Sequence, residues 1–77
     1  MPAAPVIDAA CAAAVDVARD AALTRAGTMG VGEHLGVTGE GVRVVTHAFA
    51  CPHPGYPGWS WQVTVARASR ARVVTVS

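Results

Sequence analysis

The segment WSWQVTVA, residues 59–66, alternates apolar residues with polar or small ones more regularly than any other part of the chain. Side chains of a β-strand point alternately to its two faces, so this pattern predicts a strand with one buried and one wet face. The residues expected on the buried face are Trp59, Trp61, Val63 and Val65. This strand decides the fold class, because its apolar face needs a covering layer.

Two more strands are predicted before this segment. Residues 31–37 predict a weak strand interrupted by glycines, residues 38–41 a hairpin turn, and residues 42–50 a stronger strand rich in β-branched residues. Residues 52–58 contain three prolines and two glycines. Because proline cannot donate to a sheet ladder, this part is expected to form a rigid loop between two strands.

A last strand is predicted at residues 72–76, after a turn at residues 68–70. An uncovered apolar edge strand invites pairing with a second chain. One hypothesis is therefore a structural domain that dimerises through this strand and the helix. No closing element follows the strand, from which we expect a piece of a longer chain.

An amphipathic helix is predicted at about residues 6–26. Asp8 lies near its start and Gly27 is placed to end it. Apolar residues recur at spacings of three and four along one face, namely Ile7, Cys11, Ala14, Val15, Ala18 and Ala22.

These elements together predict one small α+β domain over residues 1–77. Its N-terminal amphipathic helix is expected to pack on a three- to four-stranded antiparallel β-meander that spans about residues 31–77. Hydrophobic residues make up 52% of the chain and charged residues 14%, which is too apolar for disorder. No apolar run is long enough to span a membrane, and the N-terminus does not resemble a signal peptide. A cytoplasmic protein is expected, in which Cys11 and Cys51 are free thiols.

Charge is distributed unevenly along the chain, although its net value is only +1. Residues 1–40 contain all five acids and two arginines, a net −3, while residues 41–77 contain four arginines and no acid, a net +4. The basic half predicts a non-catalytic module that binds nucleic acid or an acidic protein partner, whereas the alternative is an ordinary solvated surface. The partner-binding residues are predicted to be Arg43, Arg67, Arg70 and Arg72, with Tyr56 exposed beside them.

The aromatic residues near these arginines resemble in composition the stacking platforms of proteins that bind single-stranded nucleic acid. Trp59 and Trp61, however, share the face of two valines in the predicted strand. We therefore expect both tryptophans in the core and only Tyr56 at the surface.

Four residues are candidate ligands for zinc, because imidazole and thiolate are its usual ligands: His34, His47, Cys51 and His53. On an extended strand, His47 and Cys51 lie roughly 13 Å apart, too far for one ion. No cofactor is therefore predicted. A buried His47 that donates to a backbone carbonyl, beside an inert Cys51 in the core, is preferred to the alternative of a metal-supported site.

Catalysis is not predicted. Cys51 as a nucleophile needs a base such as His53 or His34, and no acid after Glu40 is available to orient it. The glycine-rich segment at residues 30–36 follows a helix and precedes a strand, which is the wrong context for a phosphate-binding loop.

The order of motifs resembles, over nearly the whole chain, an actinobacterial domain-of-unknown-function family. The matching motifs are VGEHLG at 31–36, RVVTH at 43–47, FAC at 49–51, PGY at 54–56, GWSW at 58–61 and VTVAR at 63–67. The resemblance brings no activity or cofactor. It implies an intracellular protein, relatives longer than this chain, and a functional segment centred on His47, Cys51, Tyr56, Trp59 and Trp61. Pro52, His53 and Pro57 depart from the pattern, which makes His53 a poor ligand candidate.

Overall fold

The computed structural model describes residues 7–77 and shows helices followed by a four-stranded antiparallel sheet. Helices α1 and α2 and a 3₁₀ turn come first, at Ala9–Ala13, Val15–Ala26 and Gly27–Met29. The strands β1 to β4 follow at His34–Gly41, Val44–Ala50, Ser60–Ala66 and Thr75–Val76. They lie side by side in chain order, each antiparallel to the next. The predicted α+β class and antiparallel meander are therefore confirmed. No helix among residues 7–77 is long and apolar enough to cross a membrane.

The prediction of one continuous helix is wrong, because the helix is interrupted at Ala14 (φ −79°, ψ 46°). In a continuous helix the Cys11 carbonyl accepts a hydrogen bond from the amide four residues later. Here it accepts instead from the Ala14 amide at 3.2 Å and from Nε2 of His47 at 2.7 Å. A contact from the sheet thus ends α1. Residue 6, where the predicted helix begins, lies outside the described residues.

The bounds of β1, β2 and β4 also differ from the predicted 31–37, 42–50 and 72–76. The expected turn at residues 38–41 belongs to β1, where Thr38 pairs with Thr46 and Gly41 with Val44. The hairpin turns instead at Val42 and Arg43, and Arg43 has a positive φ of 57°. The last strand contains only Thr75–Val76 rather than residues 72–76.

The core lies between the helices and one face of the sheet. Small helix residues contribute Cys11, Ala18 and Ala22, and the sheet contributes Val45, Phe49, Val63 and Val65. Ala18 and Phe49 have no exposed surface. Because alanine has a short side chain, the axis of α2 lies close to the sheet.

The buried His47 and the half-buried His34 form a polar chain under α1. Nε2 of His47 lies 2.7 Å from the Cys11 carbonyl, which can only accept, so this nitrogen carries the proton. Nδ1 of His47 lies 2.9 Å from Nε2 of His34, so a second hydrogen bond joins the two rings. His47 has no exposed surface. The prediction of a buried His47 donating to a backbone carbonyl is confirmed.

Arg19 attaches α2 to the same region. Its Nη1 donates to the Gly32 carbonyl at 2.9 Å, and its guanidinium carbon lies 4.8 Å from the centroid of the Phe49 ring. Cation–π contact of this kind adds to the burial of the ring. The arginine therefore ties the helix both to the segment before β1 and to the core.

Acid should destabilise the fold through His34. Burial, followed by the neighbouring His47 and Arg19, lowers the pKa of His34 from its usual 6.5. Between that lowered value and 6.5 the unfolded chain binds more protons, so the free energy of unfolding falls as pH drops below about 6.5. Urea unfolding at a series of pH values from about 7.5 to about 5 measures this fall. His34→Gln keeps a group that can bond to His47 but does not titrate, and it should flatten the dependence; an unchanged pH profile in this variant would contradict the assignment.

Enlarging Ala18 should destabilise the contact between α2 and the sheet. Ala18→Leu inserts three carbons where no exposed surface remains, and overpacking of this kind costs about 1–3 kcal/mol. The matched control is Val17→Leu, because Val17 is 37% exposed on the same helix. Chemical denaturation should show a loss for the first variant and little change for the second; equal stabilities would refute the close packing.

Candidate functional site

The residues predicted to bind a partner lie at two opposite ends of the sheet. Strands β2 and β3 pair from Val44 with Ala66 at one end to Ala50 with Ser60 at the other. The arginines flank the first end, whereas Tyr56 belongs to the loop that joins the second. Six residue steps at about 3.3 Å separate these ends by about 20 Å. The expectation that Tyr56 lies beside the arginines is therefore wrong.

We call the first end the basic end, defined by Arg43, Arg67, Arg70 and Arg72. Two turns form it, the β1–β2 hairpin and the connection from β3 to β4. The Arg67 amide donates to the Arg43 carbonyl at 3.2 Å, which holds these two turns together. Asp8 and the exposed Glu40 reduce its formal charge to +2.

Arg67 is bound internally rather than free to contact a partner. Its Nη2 and Nε donate to the two carboxylate oxygens of Asp8 at 2.6 and 2.8 Å, and its Nη1 donates to the Ala71 carbonyl at 3.1 Å. This hydrogen-bonded pair holds the pKa of Asp8 well below its usual range and raises the pKa of Arg67. Asp8 also caps α1 by accepting from the Cys11 amide at 3.0 Å. Arg67 therefore fixes the helix start and the turn that carries Arg70.

The other three arginines make no such pair. Among residues 7–77 the one ion pair joins Arg67 to Asp8. Arg70 and Arg72 are exposed, and Arg43 is half-buried. Within the same residues, Arg43 and Arg70 are the two non-glycine positions with positive φ, 57° and 62°. A left-handed conformation costs a residue with a Cβ roughly 1–2 kcal/mol.

We call the opposite end the aromatic end. It is the loop of residues 51–59 together with Met29 and Trp61. The Cys51 amide donates to the Trp59 carbonyl at 3.0 Å, which closes the loop where it leaves the sheet. Inside it, the Tyr56 amide donates to the His53 carbonyl and the Trp59 amide to the Tyr56 carbonyl. These hydrogen bonds, together with the three prolines, give the loop a defined shape.

Trp59 is exposed, contrary to the sequence expectation. Its exposed fraction is 65% and that of Tyr56 is 41%. Since β3 begins at Ser60, Trp59 belongs to the loop and does not follow the alternation of the strand. Trp61 packs against the core as predicted. The rings of Tyr56 and Trp59 meet edge to face, with centroids 5.5 Å apart and an interplanar angle of 71°.

A pocket of about 240 Å³ opens at the aromatic end. No lining side chain carries a charge; the lining residues are Met29, Cys51, Tyr56, Trp59, Ser60 and Trp61. The Trp61 indole N–H is buried and has no acceptor among residues 7–77. Sequence reasoning missed Met29. The only sequence feature that pointed to this position was Gly30, the next residue. In the structure Gly30 has a positive φ of 77° and lies close to Pro52.

The candidate metal ligands and nucleophile occupy separate places. His34 and His47 bond to each other, whereas Nδ1 of His53 accepts from the Gly55 amide in the loop. Within residues 7–77 no three His, Cys, Asp or Glu residues come together as metal ligands. Both cysteines are free thiols.

The inert thiol of the core had been expected to be Cys51, but it is Cys11. Cys11 has no exposed surface, and its Sγ donates to the Arg43 carbonyl at 3.4 Å. Burial, with a smaller effect of Asp8, raises the pKa of Cys11. Cys51 is half-buried and lines the aromatic pocket.

Replacing Arg67 should destabilise the fold, while replacing its neighbours should not. Arg67→Ala leaves the Asp8 carboxylate without its partner and removes a bond to the Ala71 carbonyl. Arg70→Ala and Arg72→Ala, with exposed side chains, are the matched controls. Thermal unfolding should show a lower midpoint only for Arg67→Ala; the same midpoint for all three variants would show that the pair does not hold the basic end.

The chain is similar to known proteins along most of its length. A family model described as "Protein of unknown function (DUF3027)" matches residues 32–77. An uncharacterized protein of Mycobacterium tuberculosis and one of Mycobacterium bovis are each 44% identical over 64 residues, 83% of this chain and 24% of the relative. The chain thus spans about a quarter of the length of these curated relatives. No solved structure matches it. As the resemblance to an actinobacterial family predicted, the chain belongs to the DUF3027 family.

Proposed function

We propose that the chain is a non-catalytic, cytoplasmic binding module whose basic end contacts the phosphates of a nucleic acid. The observation that carries the proposal is the placement of Arg43 and Arg70. Both arginines occupy turn positions with positive φ, where glycine is favoured. The chain has eight glycines but an arginine at each of these two positions. A charge kept at a conformational cost supports a role in binding.

The chemistry of the basic end suits phosphate. A guanidinium presents its N–H donors in a planar fork that matches two phosphate oxygens, and it stays charged at all physiological pH values. Arg43, Arg70 and Arg72 provide three such groups on adjacent turns, none of them paired with a carboxylate within residues 7–77. Phosphate contacts of this kind require no apolar patch and supply most of the affinity of sequence-independent binding.

Arg67 supports this arrangement without taking part in the contact. Its bonds to Asp8 and to the Ala71 carbonyl brace the connection that carries Arg70 and Arg72. A braced turn loses less conformational entropy when it binds. The absence of catalysis is likewise a proposal, supported by the separate positions of His53 and of the pair His34 and His47.

A second candidate is an acidic protein partner. Val42 and Val73 are 75% and 72% exposed, and each is adjacent in sequence to an arginine of the basic end. Protein interfaces combine apolar side chains with arginine, so these valines favour a protein surface that presents carboxylates. Dimerisation through residues 72–76 has less support, because only Thr75–Val76 forms a strand there.

Salt dependence tests the nucleic-acid proposal. For three phosphate contacts with a single strand, the logarithm of the binding constant should fall with the logarithm of salt concentration with a slope of about −2. Arg43→Gly and Arg70→Gly should each reduce this slope by about 0.7. Because glycine relieves the positive φ, each variant should keep its stability or gain up to about 1 kcal/mol. Fluorescence anisotropy of a labelled oligonucleotide and thermal unfolding measure the two effects.

Arg25→Ala is the control, since it removes an exposed arginine of α2 outside the basic end and changes the net charge equally. It should leave the slope nearly unchanged. No binding of oligonucleotide at about 50 mM salt, where such contacts are strongest, would refute the nucleic-acid proposal. Binding of polyglutamate under those conditions would then support the acidic protein partner instead.

A further inference from the structure

We infer that the aromatic end holds an unpaired base of the same nucleic acid, so that the ligand is single-stranded. The inference rests on the proposed function and adds a second contact to it, about 20 Å from the arginines by strand rise. It accounts for the exposed rings, the pocket and the defined loop, none of which a phosphate contact requires.

The exposed rings provide a stacking surface. Trp59 is 65% exposed and Tyr56 is 41% exposed, and their rings meet edge to face at 5.5 Å. In this arrangement the edge of one ring meets the face of the other, so flat aromatic surface remains open beside the pocket. Stacking of bases on such residues tolerates any sequence, because every base has a π face.

The pocket matches a base in charge and in size. Its volume of about 240 Å³ admits a single flat ring system rather than a larger ligand. Its lining contains no ionised group, which suits a neutral base and does not suit a phosphate. Ser60 and Cys51 also line it and provide hydroxyl and thiol groups that can bond to the polar edge of a base. A base paired in a duplex cannot enter such a pocket without leaving its stack.

The loop is preorganised for this contact. Residues 52–58 contain three prolines, and the hydrogen bond from the Cys51 amide to the Trp59 carbonyl closes its base. The His53 ring also packs against Tyr56, with centroids 5.5 Å apart and an interplanar angle of 54°. Little conformational entropy therefore remains to be lost when a base binds.

The distance between the two ends sets a minimum ligand length. A strand that touches both ends spans about 20 Å, which corresponds to about six nucleotides at the duplex rise of about 3.4 Å each and to fewer in an extended single strand. A dinucleotide reaches one end only. The dependence of affinity on length is thus part of the inference, in addition to the preference for a single strand.

The test compares a single-stranded oligonucleotide of twelve nucleotides with the duplex of the same sequence, for the chain and its variants. Trp59→Ala should weaken single-strand binding about tenfold, as removal of a stacking ring does, and leave duplex binding unchanged. Trp59→Phe keeps a ring and should lose much less. Because Trp59 is largely exposed, both variants should unfold at the same temperature as the parent chain. Binding should also change the tryptophan emission of the parent chain.

A dinucleotide and the strand of twelve nucleotides provide the second comparison. The twelve-nucleotide strand should be sensitive to both Trp59→Ala and Arg70→Gly. The dinucleotide should bind more weakly than the loss of overlapping sites explains, because it cannot reach both ends.

The outcomes separate this inference from the proposed function. Equal affinity for single strand and duplex, with no effect of Trp59→Ala but an intact salt slope, would overturn the inference and leave the proposed function standing. No binding of either oligonucleotide would overturn both. A preference for the single strand that Trp59→Ala abolishes, with the salt slope unchanged, would establish the aromatic contact.

Discussion

The attachment of residues 8–11 to the sheet is the constraint on which the rest of the structure depends. The Asp8 carboxylate binds both the Cys11 amide and the Arg67 guanidinium. The Cys11 carbonyl accepts a hydrogen bond from His47, and the Cys11 thiol donates one to the Arg43 carbonyl. Four residues at the start of the helical layer therefore contact β2, the connection that follows β3 and the β1–β2 hairpin turn. These contacts end α1 and hold the buried His47, whose two ring nitrogens each have one partner.

The same attachment decides which arginines remain available for binding. Asp8 engages Arg67, which directly follows β3, and leaves Arg43, Arg70 and Arg72 on the adjacent turns. Asp8, the acid at the helix start, thus orders the basic end and neutralises one of its positive charges. The aromatic end depends on different features, namely a proline-rich loop and the hydrogen bond between the Cys51 amide and the Trp59 carbonyl. The residues of one end can therefore change without altering the structure of the other end.

Local sequence patterns predicted the fold class better than the candidate site. Alternation along residues 59–66 correctly indicated a strand with Val63 and Val65 buried, because both follow the pleat of β3. The interruption at Ala14 was not predictable from an alanine-rich sequence, since its cause is the contact of the Cys11 carbonyl with His47, 36 residues after Cys11. The pairing of Asp8 with Arg67, 59 residues apart, has no local signal either. Trp59 was misassigned because alternation does not show at which residue a strand begins.

The most direct test of this account is a proton–nitrogen-15 spectrum of the arginine Nε–H groups, recorded for the parent chain and for Asp8→Asn. The account predicts that the Arg67 signal exchanges with water more slowly than those of Arg70 and Arg72, because Asp8 accepts from it at 2.8 Å. In Asp8→Asn this protection should be lost, and the backbone amide signals of residues 68–72 should shift. An Arg67 signal that exchanges as fast as the other two, with residues 68–72 unaffected by the substitution, would contradict the account.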